Sequence, residues 1–436
     1  MSTLALADEL PLVLLERMFY DIGMLTTQVF TCSLPKDTAD ALNRESGRIY
    51  TATLVEHYRV YRHTGNWLSP KADEKLSDFI TGETILHAHS RDAAQQGFAK
   101  ACKTARAYKK MGLNSHYPHR IKHWRTTIWK STGIRKREET LLLALARGHK
   151  PVQVRLPEKL QSLEPIAFVE MRLVWDKAGR HYQWHAVIED GTTPNAAPGS
   201  NVAGIDLGEV HPAAASDGAQ SVIFSARQLR SLAQYSNKRL AGLQQKQSKK
   251  TKGSKRWKRI QRRKSRFLAQ QKRRKRDIEH KVSRAVVAWA VERKVGKLAV
   301  GDVRDAADGV ALGKQTNQKI ANWPHGKLRT YIAYKAAAKG MTVELVNEAY
   351  TSQTCPNCGE RHKPKGRVYR CPACGFQSHR DAVGAANIRS VFLYGKPGQS
   401  PPGEVKYRHP FKRVGMRSRP DTAHVARPIS REAAGL

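Results

Sequence analysis

Two cysteine pairs and a few isolated acids are the residues in this chain whose types and spacing could do chemistry. Cys355-x2-Cys358 and Cys371-x2-Cys374 share the form C-P-x-C-G and are separated by twelve residues. Four thiolates at this spacing fit a tetrahedral zinc ion, and a full thiolate set leaves no open position for a substrate, so the zinc is read as structural. Gly359 and Gly375 let the chain fold back so that its amides face the sulfurs. His362 and His379 lie nearby but are surplus to the ligand count, and are expected as surface or nucleic-acid contacts. The acids ask for a different role. Asp206 ends a short apolar strand, Asp381 opens a small-residue helix, and Glu348 stands seven residues ahead of Cys355. Acids at such strand and helix ends, here Asp206 and Asp381, can help hold two Mg²⁺ roughly 3.5–4 Å apart, to activate water and stabilise a leaving oxygen in phosphodiester cleavage. Acids at strand and helix ends are also commonplace caps, and Glu348 reads equally as a solvated loop acid.

The elements that must position these residues are legible from periodicity. "TTQVFTCSL" reads as a strand, residues 36–115 as polar helix with an apolar stripe interrupted by Tyr58, Tyr61 and Trp67, and "PVQVRLP" (151–157) as an alternating strand. "IAFVEMRLVW", "DKAG" and "HYQWHAVIED" form a hairpin, part of a small β-barrel. "GTTPNAAPGSN" (191–201) is a linker by composition. Beyond it, Val202–Ile205 form a strand ending at Asp206, with Gly208 in a tight turn to a second strand. "KLAVGDV" and "MTVELV" are further strands, and a helix over about 325–339 closes on Gly340. The tail from about Lys396 to Leu436, rich in Pro, Gly and Arg, is expected to be disordered. Cys32 and Cys102 stand alone and read as packed thiols.

Charge narrows the partners. The chain has 436 residues, with 77 Lys and Arg against 37 Asp and Glu, a formal net charge of +40. A surface so cationic calls for a polyanion, nucleic acid ahead of an anionic membrane. No apolar run reaches spanning length. "LPLVLL" is flanked by Glu9 and Glu16 and lacks the basic start of a signal peptide, so a soluble intracellular protein is expected. The densest cationic segment, "KQSKKTKGSKRWKRIQRRKSRFLAQQKRRKRDIEHK", has Trp257, Ile260, Phe267 and Leu268, and then Ile278, Val282, Val286 and Trp289, at roughly helical spacing. These stripes suggest paired helices that bury one face and offer Lys255, Arg256, Lys258, Arg259, Arg262, Arg263, Arg273 and Arg274 to phosphates. In "KTARAYKKMGLNSHYPHRIKHWR", cations alternate with aromatics in a pattern suited to phosphates and bases, with Lys109, Lys110, Tyr117 and Arg120 the favoured contacts. A solvated helix and loop explains any single residue there equally well.

"GIDLG", "YTSQTCPNCG", "YRCPACG", "HRDAVGAANI", the cationic stretch and "LRTYIAYKAAAKG" together resemble the TnpB family, RNA-guided nucleases of insertion sequences related to compact type V CRISPR effectors. The likeness covers residues 200–395; the first half fits by arrangement. It implies an α/β and β multidomain fold: a wedge β-barrel (1–35 and 116–200) with a helical recognition insertion (36–115), then an RNase H-like RuvC domain (201–349 and 381–395) with an inserted zinc ribbon (350–380), and a disordered basic tail (396–436). It further implies a guide RNA that pairs with target DNA beside a short duplex motif read by the first half. The expected state is a monomer within a ribonucleoprotein, in a prokaryotic cytoplasm and associated with the nucleoid and a transposable element.

The resemblance puts the family's outer catalytic aspartates on Asp206 and Asp381. Its middle Glu falls on Gly301, where this chain departs from the pattern. Asp302 does not simply substitute, because successive strand side chains point to opposite faces. On "TVELVNEAY", extended backbone puts Thr342, Glu344, Val346 and Glu348 on one face, so Glu348 is the candidate for the vacant role, completing a two-Mg²⁺ set with Asp206 and Asp381. The competing readings are a nuclease-dead RNA-guided DNA-binding repressor, a compact type V CRISPR effector, a zinc-ribbon RNA-binding protein without a guide, and a strand-exchange transposase.

Overall fold

The computed structural model describes residues 25–162, 167–177, 179–189, 191, 193–302, 313 and 325–410. The chain divides into two compact units, one over residues 20–192 and the other from Thr193 onward.

The first unit runs β1 (Leu25–Thr31), α1 (Lys36–Thr64), α2 (Pro70–Thr81), α3 (Ala88–Lys110), β2 (Thr127–Lys130), β3 (Ile134–Arg137), β4 (Thr140–Leu143), β5 (Val152–Arg155), the one-turn α4 (Glu158–Gln161), β6 (Ala167–Asp176) and β7 (His181–Glu189). Its strands are hydrogen-bonded as two separate sheets, β1-β7-β6-β2 and β3-β4-β5. Trp129, Leu141, Leu143, Met171, Leu173 and Trp184 close one core between them. The barrel expected from the strand pattern is therefore a pair of sheets among the described residues. The helices carry a second cluster, in which Tyr50, Leu54, Phe98 and Cys102 are buried and Tyr58, Trp67 and Tyr117 pack on them.

The second unit runs β8 (Asn201–Asp206), β9 (Ala213–Ser216), β10 (Gln220–Phe224), α5 (Arg227–Ser248), α6 (Lys255–Glu292), β11 (Val295–Asp302), α7 (His325–Ala337), β12 (Thr342–Asn347), β13 (Val368–Arg370), β14 (Gln377–His379), α8 (Arg380–Tyr394) and β15 (Glu404–Arg408). Six of the strands form a mixed sheet in the order β12-β11-β8-β9-β10-β15. β8, β11 and β12 are parallel, β9 runs against both β8 and β10, and β15 joins parallel to β10. The tail is thus ordered at least to the sheet edge, against the expectation of disorder from Lys396: β10 backbone groups pair a short Pro/Gly-flanked segment whose Val405 and Tyr407 pack on the core. The expected disorder of residues 411–436 lies outside the described residues.

Period two sorts the side chains of this sheet. Ala203, Ile205, Leu298 and Val300 face one side, where they meet Val286 and Trp289 of α6 and Leu328 and Ile332 of α7 in the main core. Gly204, Asp206, Ala299 and Gly301 face the other, where α8 lies. The small residues there are a contact requirement: a methyl on Gly204 would sit 2.1 Å from the Ala385 carbonyl oxygen. The two apolar stripes belong to one continuous 38-residue helix, α6, instead of two paired helices. Ser254 caps it by accepting from the Trp257 N–H at 3.1 Å, and at ~1.5 Å per residue it is about 57 Å long. Its C-terminal half buries Val282, Val286 and Trp289 completely, each contributing about 1.5–3 kcal/mol of burial. Its N-terminal half is held by α5, through Phe267 against Tyr235 and a Gln247–Gln261 side-chain hydrogen bond of 2.8 Å.

Candidate active site and zinc centre

The four cysteines converge. The Cys355 and Cys374 sulfurs are 3.7 Å apart, those of Cys358 and Cys371 3.5 Å, and all four lie within 4.8 Å of one another. Thiolates about 2.3 Å from a tetrahedral ion stand about 3.8 Å apart, so the donor set fits zinc. Gly359 and Gly375 adopt φ of 77° and 70°, and their N–H groups return to the Cys355 and Cys371 carbonyls at 3.0 and 3.1 Å. Burial pushes the metal-free Cys355 thiol up to about 12, whereas the Phe376 backbone and Asn357 amide draw Cys374 down to about 6.

The zinc segment is tied to the acids by Asn387 of α8. Its amide donates to the Thr351 and Thr354 carbonyls at 2.7 Å each, and its oxygen accepts from the Gly398 N–H at 2.9 Å. Thr351 in turn donates twice to the Glu348 carbonyl, through its N–H at 3.1 Å and its hydroxyl at 2.8 Å. The backbone at Glu348 is therefore fixed by the same loop that leads into the zinc knuckles.

β11 and β12 pair Gly301 with Val346 and Asp302 with Asn347. Glu348, two residues beyond Val346, shares the Gly301 face, and its side chain folds back over that glycine. A methyl on Gly301 would lie 2.6 Å from Glu348 Oε2 and 2.9 Å from Ile388 Cδ1. Asp302 faces the opposite side, with its carboxylate 3.7 Å from the guanidinium of the buried Arg329 of α7. Asp206 reaches under α8, where Gly384 leaves room for it: a methyl there would be 2.6 Å from Asp206 Oδ2. Asp381 is the second residue of α8.

Electrostatics tie the three acids together. Burial, then the charges of Asp381 and Glu348, raise the Asp206 carboxyl well above the carboxylate range. Burial, then the charge of Asp302, pushes Glu348 up to about 7. Asp381 is the exception. Burial would raise it, but the His211 hydrogen bond and the cationic influence of His379 and Arg367 outweigh that and hold it low. Asp381 is thus favoured in its ionised form, while Asp206 and Glu348 are both pushed toward the protonated one. Among the described residues no group of three that includes Asp206 or Glu348 has its ligand atoms all within 4.8 Å of one another; carboxylate oxygens as a class suit hard divalent ions such as Mg²⁺.

Several residues at this site carry no strong signal in the sequence. His211 Nδ1 is 2.8 Å from Asp381 Oδ2. Arg367, just ahead of β13, donates to the two oxygens of Asp381 at 3.0 and 3.3 Å. His379, expected as a surface or nucleic-acid contact, instead caps α8 by accepting from the Asp381 N–H at 3.2 Å. Its ring lies 5.4 Å from that of His211, and Tyr407 of β15 flanks both. His362 is also engaged, 3.2 Å from the Tyr369 hydroxyl.

The cations expected to meet nucleic acid fall in two places. Lys255, Arg256, Lys258, Arg259, Arg262, Arg263, Arg273 and Arg274 are all exposed on α6. Lys238, Arg239 and Lys246 of α5 join Arg263 around a shallow cleft of about 110 Å³. In the first unit Lys109, Lys110 and Arg120 are exposed. Tyr117 is half-buried, its ring 4.9 Å from Trp67 and 4.7 Å from the Lys109 ammonium. Tyr58 donates to the Pro118 carbonyl at 2.9 Å. Of the aromatics in that stretch, Tyr117 is thus engaged in packing, while Trp124 is exposed with Arg44 over its ring.

Two family models match the chain: "Probable transposase" (OrfB of IS605) over residues 185–307 and "Cas12f1-like, TNB domain" over residues 325–388. A TnpB-like protein of Methanocaldococcus jannaschii is 32% identical over 124 residues, 28% of this chain and 44% of that one. The putative RNA-guided DNA endonuclease InsQ of Escherichia coli is 31% identical over 221 residues, 47% and 53% of the two chains. The CRISPR-associated endodeoxyribonuclease Cas12f1 of Syntrophomonas palmitatica is 29% identical over 132 residues, 30% and 25%. The matched regions thus span about half or less of these relatives. A Cas12f1–sgRNA–target DNA complex solved by cryo-electron microscopy has the same fold, with a TM-score of 0.60 at 13% identity over 81% of this chain and 83% of that one. Among the described residues no helix is long and apolar enough to cross a membrane.

Proposed function

We infer that this chain, whose second half groups with the TnpB and IS605 OrfB proteins and carries a Cas12f-like TNB segment, is an RNA-guided DNA endonuclease. Asp206, Glu348 and Asp381 hold its divalent ions. The observation that carries the reading is Glu348 lying over Gly301, on the face of the sheet that Asp206 and Asp381 share. When bound, Mg²⁺ activates a water and stabilises the departing oxygen of a phosphodiester. The chain supplies the rest. Asp206 and Asp381 are set by β8 and the first turn of α8, and Glu348 by the Thr351 turn. His211 fixes the rotamer of Asp381. The zinc ribbon has its four thiolates satisfied and serves as a brace through Asn387. The exposed cations of α6 grip phosphates, while base pairing between guide and target supplies sequence, as in related RNA-guided systems. The first unit reads the short duplex motif beside the target. The natural association is with a transposable element in a prokaryotic cell.

The test is purification with whatever RNA accompanies the chain, sequencing of that RNA, and incubation with DNA that its guide segment matches, in Mg²⁺. A defined RNA species and guide-dependent cutting are expected. A random RNA population overturns the guide function, and guide-directed binding that never cuts makes the chain a DNA-binding repressor.

A further inference from the structure

Beside the three acids lies a donor set of another kind. His211, His379 and Asp381 each offer one ligand atom, all within 4.8 Å of one another. Donors on one ion at about 2.1 Å stand about 3.0–4.2 Å apart, so the cluster needs to close by less than about 1 Å to share one. His211 is 95% buried, and the ring nitrogen it turns toward Asp381 is Nδ1, 2.8 Å from Oδ2, so Nδ1 is the donor it would offer in place of that hydrogen bond. His379 spends Nδ1 on the α8 cap, which leaves Nε2 for a ligand. Arg367 now supplies the positive charge at Asp381 and would have to swing out, which its half-exposed side chain permits.

We propose that His211, His379 and Asp381 form a two-imidazole, one-carboxylate site that takes a borderline divalent transition ion of the Mn²⁺-to-Zn²⁺ series ahead of Mg²⁺. The proposal deepens the nuclease reading at Asp381 by naming the class of ion held there. Mg²⁺ prefers oxygen donors and dehydrates reluctantly, whereas imidazole favours the first-row transition ions. Three protein ligands leave positions open for water or a phosphate oxygen. The chain would then hold two unlike ion positions: an oxygen-only one at Asp206 and Glu348, and a nitrogen-bearing one at the start of α8.

The experiment uses the full chain with its RNA and with zinc in the cysteine site. Mn²⁺ is bound and nitrogen coupling is read by pulsed electron paramagnetic resonance. Co²⁺ is titrated separately, its visible bands reporting the new site and its thiolate charge-transfer bands any invasion of the cysteines. Expected are imidazole coupling to Mn²⁺ and one Co²⁺ per chain without thiolate bands, retained in roughly a hundredfold excess of Mg²⁺. In the His211→Gln/His379→Gln variant, checked for folding by its melting curve and zinc content, Co²⁺ should bind more than about 100-fold weaker, since outer-shell partners alone cost about 10–100-fold. Absence of nitrogen coupling in the wild type overturns the proposal whether or not the variant folds, and so does Co²⁺ affinity unchanged in a folded variant. Cleavage in Mg²⁺ without nitrogen coupling leaves the nuclease reading standing and removes this one. Nitrogen coupling without cleavage supports this site and counts against the nuclease.

Discussion

Adding one methyl group at Gly301 tests whether Glu348 occupies the place that a residue at 301 would otherwise fill. In Gly301→Ala the new Cβ would stand 2.6 Å from Glu348 Oε2, where unstrained contact begins at about 3.4 Å. The carboxylate oxygen therefore has to retreat by about 0.8 Å or its side chain must rotate. Relief from the other side is closed: Ile388 Cδ1 would be 2.9 Å from the same methyl, and Ile388 is fully buried in α8. Overpacking of this kind costs about 1–3 kcal/mol of stability, and a misplacement near 1 Å of a group that positions the reaction costs up to about 100-fold in rate. The assay is single-turnover cleavage of a guide-matched DNA across a Mg²⁺ titration, for wild type, Gly301→Ala, Glu348→Ala and the double variant, with melting curves for all four. The rate loss from Gly301→Ala should vanish in the Glu348→Ala background, because the group it displaces is gone. Equal losses in both backgrounds, or a Gly301→Ala protein that cuts and melts like wild type, would refute the reasoning.

Other expectations follow from the same contacts. Glu348 has a folded pKa of about 7 against an ordinary 4.5, so the folded state binds the extra proton between those values and metal-free stability falls as pH rises through that window. A full shift is worth about 3.4 kcal/mol, which solvent screening of this partly exposed group reduces to about 1–2 kcal/mol. Melting from pH 4.5 to 7 should show the loss, and saturating Mg²⁺ should remove most of it. Stripping the zinc should loosen residues 350–380 and, through Asn387 and Thr351, the backbone at Glu348. Hydrogen exchange at Thr354 and Asn387 should rise while Mg²⁺ binding weakens by about tenfold or more, and zinc should restore both. Replacing the exposed Arg259, Arg262 and Arg263 with Ala should leave the fold intact. It should also flatten the log–log salt dependence of nucleic-acid binding by about 0.7–0.9 for each phosphate that is no longer neutralised.

What could be read from the sequence was whatever local spacing determines. The zinc knuckles need only two short repeats and a glycine after each, and the geometry agrees with both. The period-two rule separated Gly301 from Asp302 and put Glu348 on the Gly301 face, and the β11–β12 register has that alternation. The misreadings share a physical cause: they depend on partners distant in the chain. His211 and Asp381 are 170 residues apart, and nothing near either residue signals the other. Arg367 reads as one more surface cation in a basic module until β13 and α8 bring it to Asp381. β15 exists because β10 offers it an edge, not because "EVKYR" is a strong strand former among Pro and Gly. The two apolar stripes of α6 suggested two helices, since an apolar face seldom keeps one heading over 38 residues. Here the first half meets α5 and the second the sheet, so each stripe has its own partner. Tyr117, spaced among cations as if to meet bases, packs against the first unit's helices beside Trp67.

Whether Glu348 or Asp302 does the work is addressed most directly by a side-by-side rate comparison. Glu348→Gln and Asp302→Asn each keep shape and remove one charge. Cleavage of guide-matched DNA in Mg²⁺ is measured for both against wild type, with folding checked by melting. The geometry predicts a Glu348→Gln protein slowed by more than about 100-fold, above the ~10–100-fold cost of an outer-shell change. It predicts an Asp302→Asn protein that melts lower, because buried Arg329 loses the charge beside it, yet cuts at close to the wild-type rate. An active Glu348→Gln beside an inert, folded Asp302→Asn would contradict it.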